Sequence, residues 1–157
     1  MPRTSLASVE GAPLGIIDPL LTATGLTFAY SAQTLGDDFR VPAGEIVVQS
    51  SSMLMRHRAD IDSNMGYAEA ELRYALHYHA TTAALQTTWL TTHLENILGG
   101  SNASHHDGGL LHVKSWLDTA GIHEVTGGPE ASFPVKNGNV ITVEVVGTVL
   151  VARSSVA

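Results

Sequence analysis

The chain has 157 residues, a length that favours one domain, and 44% hydrophobic residues, which is enough to build a core. Its formal net charge of -7 argues against a surface for sequence-specific nucleic-acid binding, which needs clustered Lys and Arg. The absence of cysteine excludes disulfides and Cys-based zinc sites, and no apolar run is long enough for a membrane span or a signal peptide.

The N-terminal part is predicted to be an arm followed by a short helix. Residues 1–15 are expected to form a flexible N-terminal arm because proline and glycine interrupt any regular pattern, and residues 16–157 are expected to form a single domain. The domain would begin with a helical patch at residues 16–21. Asp18 is the expected N-cap, and Pro19 takes the first helical position.

Three strands are predicted in the first half of the chain. Residues 26–30 form a short one, and residues 45–57 form a long one with weak alternation. The third, at residues 67–79, has apolar residues at its even positions and mostly charged or polar residues at its odd positions. This pattern is typical of a half-buried antiparallel strand. Residues 56–66 are rich in turn formers and charges and are expected to form an exposed hairpin loop.

The main helix is predicted at residues 82–98, where the apolar residues from Leu90 to Leu98 recur with helical spacing. Gly99 and Gly100 provide a left-handed stop directly after the last apolar residue. Residues 99–109 are then expected to be a flexible glycine-rich connection.

The last third of the chain is predicted to return to strands. Residues 110–118 alternate as a strand does, and turns are expected at residues 126–129 and 136–139, where Asn-Gly is a strong hairpin signal. Residues 140–153 are densely β-branched and form the final predicted strand. Gly147 in its middle suggests a bulge or bend.

The predicted fold class is therefore α+β, an antiparallel β-sheet of about four to five strands with one main helix packed on one face. Its central contact places Leu72 and Tyr74 of the third strand beneath Leu90 and Leu94 of the helix. The polar face of the same strand is left for another copy or a partner.

Histidine is the first candidate for a functional site. His77 and His79 are two residues apart on one predicted strand and project from the same face, so they could hold one metal ion if a third ligand converged. His57, across the predicted hairpin, is a possible third ligand, whereas His105 and His106 lie in the glycine-rich connection. A polar sheet face against solvent or a neighbour explains the pair more simply, and no metal site is assigned.

Catalytic chemistry finds little support. The sequence contains no Gly-x-Ser-x-Gly elbow and no phosphate-binding glycine loop. Glu69 and Glu71 could act as an acid/base pair, but with Arg73 they are more simply a charge row on the strand surface. No catalytic, cofactor-binding or metal-binding residue is assigned, and the protein is not expected to be an enzyme.

The two tryptophans have two interpretations each. Trp89 lies beside Leu90 on the predicted helix and is either the edge of the core or an aromatic anchor at a subunit contact. Trp116 lies on the more polar face of its predicted strand and is therefore the better candidate for such an anchor.

Five pieces of the chain carry a resemblance to a known family: residues 16–21, the Asp38–Pro42 lead-in to residues 46–48, and residues 67–79, 82–98 and 140–152. In the order and size of these elements the chain resembles the tail-terminator (tail-completion) proteins of tailed bacteriophages. The resemblance rests on element order, size and composition and not on a diagnostic motif.

The resemblance implies a structural virion protein without a cofactor, located in the tail or neck and assembled in the host cytoplasm. Six copies would form a ring that caps the tail tube and joins it to the head-tail connector, with the tail tube protein and the connector protein as partners. The charged content of 15% agrees with subunit contacts, since free monomers carry about a quarter charged residues. The alternatives are another head-tail connector or tail-tube-associated protein and, in a different class, a small metal-binding protein or enzyme that uses His77 and His79.

Overall fold

A computed structural model describes residues 14–31, 40–59, 65–99, 109–117 and 122–154. The elements are α1 (Leu14–Ala23), β1 (Phe28–Tyr30), β2 (Ile46–Ala59), β3 (Met65–His79), α2 (Ala83–Thr88), a π-helical turn (Trp89–His93), α3 (Leu94–Leu98), α4 (Val113–Leu117), β4 (Glu124–Ala131), β5 (Val135–Asn137) and β6 (Val140–Ser154). The π-helical turn joins α2 to α3 without a break, and together they form the main helix. Within the described ranges, no helix has the length and apolar character that a membrane span requires.

The strands form one mixed sheet of six strands in the order β1-β2-β3-β6-β4, with β5 also paired to β6. The α+β class and the main helix are confirmed, whereas the prediction of a purely antiparallel sheet of four to five strands is wrong. β1 runs parallel to β2, and the other pairs are antiparallel. Residues 31–45 are long enough for the crossover that a parallel pair needs, which takes about a dozen residues.

β2 and β3 form a long ribbon, and the predicted loop at residues 56–66 is mostly part of it. Pairing continues from Ile46 opposite Tyr78 to Ala59 opposite Gly66, with one register shift between Leu54 and Arg56. Only residues 60–64 of that loop remain between the strands, and they lie outside the described residues. The charged residues do not end the strand here, because its backbone groups are paired by hydrogen bonds with the neighbouring strand.

The start of the domain differs from its prediction. α1 begins at Leu14, so Asp18 and Pro19 lie inside the helix and do not cap it. The Asp18 side chain instead accepts a hydrogen bond from the Tyr30 hydroxyl at 2.9 Å. Ile17, the residue before Asp18, is fully buried. Residues 1–13 of the predicted arm lie outside the described residues.

The core lies between one face of the sheet and the helices. The predicted central contact is confirmed, because Leu72, Tyr74 and Leu94 belong to one buried cluster against which Leu90 packs. Most of the cluster comes from the even positions of β3, the odd positions of β6 and the inner faces of α1 and the main helix: Ala70, Leu72, Tyr74, Leu76, Tyr78, Ile141, Val143, Val145, Val149, Ile17, Leu21, Trp89, Leu94 and Ile97. β2, α4 and the connecting segments add the rest: Ile46, Val48, Ala80, Leu110, Trp116 and Ile122.

The ends of the main helix are confirmed, and its middle holds a turn that periodicity did not predict. Thr82 is the N-cap, and its side chain accepts a hydrogen bond from the Leu85 N–H at 3.2 Å. Gly99 ends the helix at φ 81°, where a left-handed residue is needed. In the π-helical turn the Leu94 N–H bonds to the Trp89 carbonyl, five residues earlier.

The predicted strand at residues 110–118 is wrong. A turn at residues 110–111 leads into α4, which carries Trp116 into the core. Val113 and Leu117, which suggested alternation, are both partly exposed on α4. Their spacing of four residues fits one face of a helix as well as one face of a strand, so the periodicity was ambiguous.

The turn predicted at residues 126–129 lies inside β4, whereas the Asn-Gly hairpin is confirmed. Asn137 pairs with Val140 across the turn, and Gly138 has φ 61°. The bulge suggested for Gly147 is not in β6, because Gly147 pairs in register with β3. Two irregularities lie in the pairing of β4 with β6, one between Val125 and Gly127 and the other between Gly127 and Glu130.

Candidate functional site

A row of polar side chains crosses the sheet on the face away from the helices. His77 on β3 places Nδ1 2.7 Å from Oγ1 of Thr142 on β6 and Nε2 2.9 Å from Oε1 of Gln49 on β2. His77 is 7% exposed and Gln49 is 1% exposed. Because the Gln49 carbonyl oxygen can only accept, Nε2–H donates to it and Nδ1 accepts from the Thr142 hydroxyl.

Burial lowers the pKa of His77 from 6.5 to about 4. Desolvation is the cause, because burial disfavours the charged imidazolium. At neutral pH the ring is therefore neutral, with one donor nitrogen and one acceptor nitrogen. That form matches the hydrogen-bonding groups of Gln49 and Thr142, so the three side chains tie β2, β3 and β6 together.

The structure places His77 and His79 on one face, as predicted, but gives both of them protein partners. The Nδ1–H of His79 donates to the Val41 carbonyl at 2.8 Å. Among the described residues, no group of three or more His, Asp or Glu side chains could hold a metal ion. A metal at His77 would have to displace Thr142 or Gln49. The His57 side chain and residues 105–107 lie outside what the structure describes.

The predicted charge row is present on the same face. The Arg73 guanidinium lies 3.1 Å from Glu71 Oε1 and 3.3 Å from Oε2 of Glu144 on β6. The Arg73 and Glu144 side chains are both more than a third exposed, and exposed ion pairs contribute about 0–1 kcal/mol. The Thr126 hydroxyl lies 3.4 Å from Glu69 Oε1. The row is therefore a solvated charged surface joining neighbouring strands.

Both tryptophans belong to the core, so the prediction of Trp116 as a subunit anchor is wrong. Its Nε1–H donates to the Leu110 carbonyl at 2.8 Å, and its ring meets Tyr74 edge to face at 6.0 Å. Trp89 stacks on Tyr78 with ring centroids 4.6 Å apart, which bears out its core interpretation. Trp116 was misplaced because the strand assumption put it on the wrong face.

Sequence reasoning missed the most exposed aromatic residue that the structure describes. Phe133 is 91% exposed and lies between β4 and β5 at one edge of the sheet, two residues from Val135, which is 62% exposed. Ser132 fixes this segment to β6, since its N–H donates to the Glu144 carbonyl at 2.8 Å and its Oγ accepts from the Glu144 N–H at 3.0 Å. We call residues 132–137 the Phe133 edge.

The only sequence signal for the Phe133 edge is local. A Phe-Pro pair, followed by Val135, stands in a stretch that is otherwise polar or small, and a lone aromatic residue has no periodicity. Other large apolar residues with partial exposure are scattered over the described surface: Tyr30, Leu85, Val113 and Leu117. Phe133 differs from these because nearly its whole ring is exposed.

A groove of about 210 Å³ lies between α1 and the main helix. Two apolar and four polar residues line it: Leu20, Ala23, Thr24, Thr92, His93 and Asn96. We call it the helix groove. Thr92 and His93 belong to the π-helical turn, and such turns are frequent at functional sites.

The flank of α1 that carries Asp18 lies away from the groove residues Leu20 and Ala23 and contacts the sheet. The hydrogen bond between Asp18 and Tyr30 ties α1, one wall of the groove, to β1. Partial burial of the phenol, together with this bond to the Asp18 carboxylate, raises the pKa of Tyr30.

Comparison of the chain with protein-family models and with curated protein sequences finds no match.

Proposed function

We propose that this chain is a structural virion protein of a tailed bacteriophage, a tail terminator that forms a ring of six copies. The ring would cap the tail tube and join it to the head-tail connector. The resemblance in element order motivates the proposal. The observation that carries it is the exposed pair Phe133 and Val135 on a sheet edge, because aromatic residues are enriched in protein interfaces.

The sheet supports ring formation because its two edges differ. A ring needs head-to-tail contacts, in which each copy uses one surface towards one neighbour and a different surface towards the other. One edge of the described sheet is formed by β1, three residues long and parallel to β2, and by the part of β2 beyond Val48, and the other edge is formed by β4 and β5. Two unlike edges can supply two unlike contacts.

The two faces of the sheet also have different roles. The helices cover one face and complete the core, whereas the other carries the ion pairs of Arg73 with Glu71 and Glu144. A charged surface suits contacts that must be specific, since opposite charges steer a partner and like charges reject the wrong one. This face is therefore our candidate contact surface for the tube or the connector.

The mass of the native assembly tests the proposal. Native mass spectrometry and light scattering should give six times the chain mass of 16.6 kDa, and electron microscopy should show rings. Purified protein should also bind the ends of tubes assembled from the tail tube protein of the same virion. A chain that stays monomeric at high concentration and leaves the tubes unbound would contradict the proposal.

The position in the particle distinguishes the tail terminator from the related alternative. Antibody labelling of assembled virions should place the protein where the tube meets the connector. Label on the connector alone, or along the tube, would instead indicate another head-tail connector or a tube-associated protein.

A further inference from the structure

We propose that Phe133 of one copy inserts into the helix groove of the next copy, and that this contact joins the subunits. The inference rests on the proposed ring and names the contact that would build it. Phe133 does not pack in the core, since it is 91% exposed, and the groove opens between α1 and the main helix.

The groove is large enough for the ring of the phenylalanine. Its volume is about 210 Å³, and a cavity of about 150 Å³ is enough to hold benzene. Leu20 and Ala23 supply apolar contact. Burial of one phenylalanine removes roughly 150–250 Å² from water, which makes it a candidate hot spot of an interface.

The Phe133 edge and the helix groove lie in different parts of the fold. The edge belongs to the sheet beside β6, whereas the groove lies between α1 and the main helix, and none of its lining residues comes from the Phe133 edge. Because Phe133 is 91% exposed, a copy does not fill its own groove. Each contact therefore leaves one free Phe133 and one free groove to continue the ring.

The charges near the two surfaces are complementary. Lys136 is exposed and is the one charged residue of the Phe133 edge. Glu95, beside the groove residue Asn96, is exposed and acidic. Because the whole chain has a net charge of -7, two copies repel at long range. A local attraction between Lys136 and Glu95 would favour this orientation over others.

Three variants test the insertion by mass and sedimentation. Phe133→Ser removes the inserted ring, Ala23→Trp fills the groove, and Leu117→Ser is the matched control, an exposed apolar residue on α4. We expect the first two to lower the association constant about tenfold or more and the control to assemble as wild type does. Circular dichroism and thermal melting should show that all three remain folded, and Phe133→Leu should recover part of the assembly.

Mixing the defective variants tests the head-to-tail geometry. Phe133→Ser keeps its groove and Ala23→Trp keeps its phenylalanine, so an equal mixture should form 1:1 dimers and nothing larger. The absence of cysteine allows a second measurement. Lys136→Cys mixed with Glu95→Cys should be joined by a short bis-maleimide, and Phe133→Ser added to the Lys136→Cys chain should abolish that product.

The outcomes separate the two proposals. If wild type assembles and Phe133→Ser reaches the same mass with the same association constant, the insertion is wrong and the proposed ring stands. If the cross-linked product forms equally well with Phe133→Ser, the insertion is also wrong. A wild-type chain that remains monomeric contradicts both proposals.

Discussion

Gly147 lies so close to the ring of Trp116 that a β-carbon at position 147 would stand 2.7 Å from Cζ3 and 2.8 Å from Cη2. The glycine is in the middle of β6, and the tryptophan comes from α4. Trp116 also meets Tyr74 of β3 edge to face. The missing side chain at position 147 therefore lets α4 dock on the sheet.

Replacing Gly147 by alanine should destabilise the fold. Because the nearest atoms belong to a fully buried ring, the ring or the strand must shift, and overpacking of this kind costs about 1–3 kcal/mol. Urea denaturation measures the change. Gly127→Ala on β4 is the matched control, since its β-carbon would meet Thr148 only at 3.4 Å. Equal losses in the two variants would mean that Trp116 does not pack tightly against Gly147.

The two buried tryptophans should respond differently to phenylalanine. Both substitutions remove part of a fully buried ring, but Trp116→Phe also removes the hydrogen bond to the Leu110 carbonyl. The Trp89 Nε1–H is buried without a hydrogen-bond partner among the described residues, so Trp89→Phe removes an unpaired donor. We expect Trp116→Phe to lower the free energy of unfolding by about 1 kcal/mol more than Trp89→Phe does, measured by chemical denaturation. The reverse order would contradict a paired indole N–H at Trp116 and an unpaired one at Trp89.

The parts of the fold that could be predicted are those with a long, unambiguous period. β3 alternates over more than ten residues, so the burial of Leu72 and Tyr74 followed from the sequence. The ends of the main helix followed from Thr82 and Gly99 because cap residues act locally. β1, with three residues, is too short to show a period, and its parallel pairing depends on residues far along the chain.

The candidate surfaces were harder to predict than the core. Gln49, His77 and Thr142 are brought together only by the strand register, since 28 and 65 positions separate His77 from its two partners. Phe133 carries no periodic signal, and its exposure depends on where the sheet ends. The helix groove lies between α1 and the π-helical turn. Sequence periodicity treats that turn as ordinary α-helix, so it does not predict the groove.

Thr82 should stabilise the main helix through its side chain. Its hydroxyl accepts a hydrogen bond from the Leu85 N–H, one of the amide groups that the first turn leaves without a helical partner. Thr82→Ala should therefore cost about 1 kcal/mol, measured by thermal or urea denaturation. Thr81→Ala, at the exposed neighbouring position, is the control and should cost less. The cap assignment fails if Thr81→Ala costs as much as Thr82→Ala.

Burial of His77 should make the stability of the protein depend on pH. The unfolded chain takes up a proton near pH 6.5, whereas burial lowers the pKa of the folded His77 to about 4. Between pH 4 and pH 6.5 the unfolded state binds more protons than the folded state. The contribution of His77 to the free energy of unfolding is therefore present above pH 6.5 and is lost as the pH falls towards 4. We expect a loss of about 1–2 kcal/mol, because partial hydration reduces the effect of burial.

Two variants separate this titration from the hydrogen bonds that His77 makes. His77→Gln keeps groups that can bond Thr142 and Gln49 but cannot titrate, so its free energy of unfolding should fall less than that of wild type between pH 7 and pH 4. Thr142→Val removes one hydrogen-bond partner of His77 and should lower the free energy of unfolding by about 1–3 kcal/mol at pH 7. Because burial and not Thr142 causes the pKa shift of His77, the variant should keep the wild-type dependence on pH. Urea denaturation at several pH values measures both effects, and a His77→Gln slope equal to that of wild type would show that His77 does not titrate in this way.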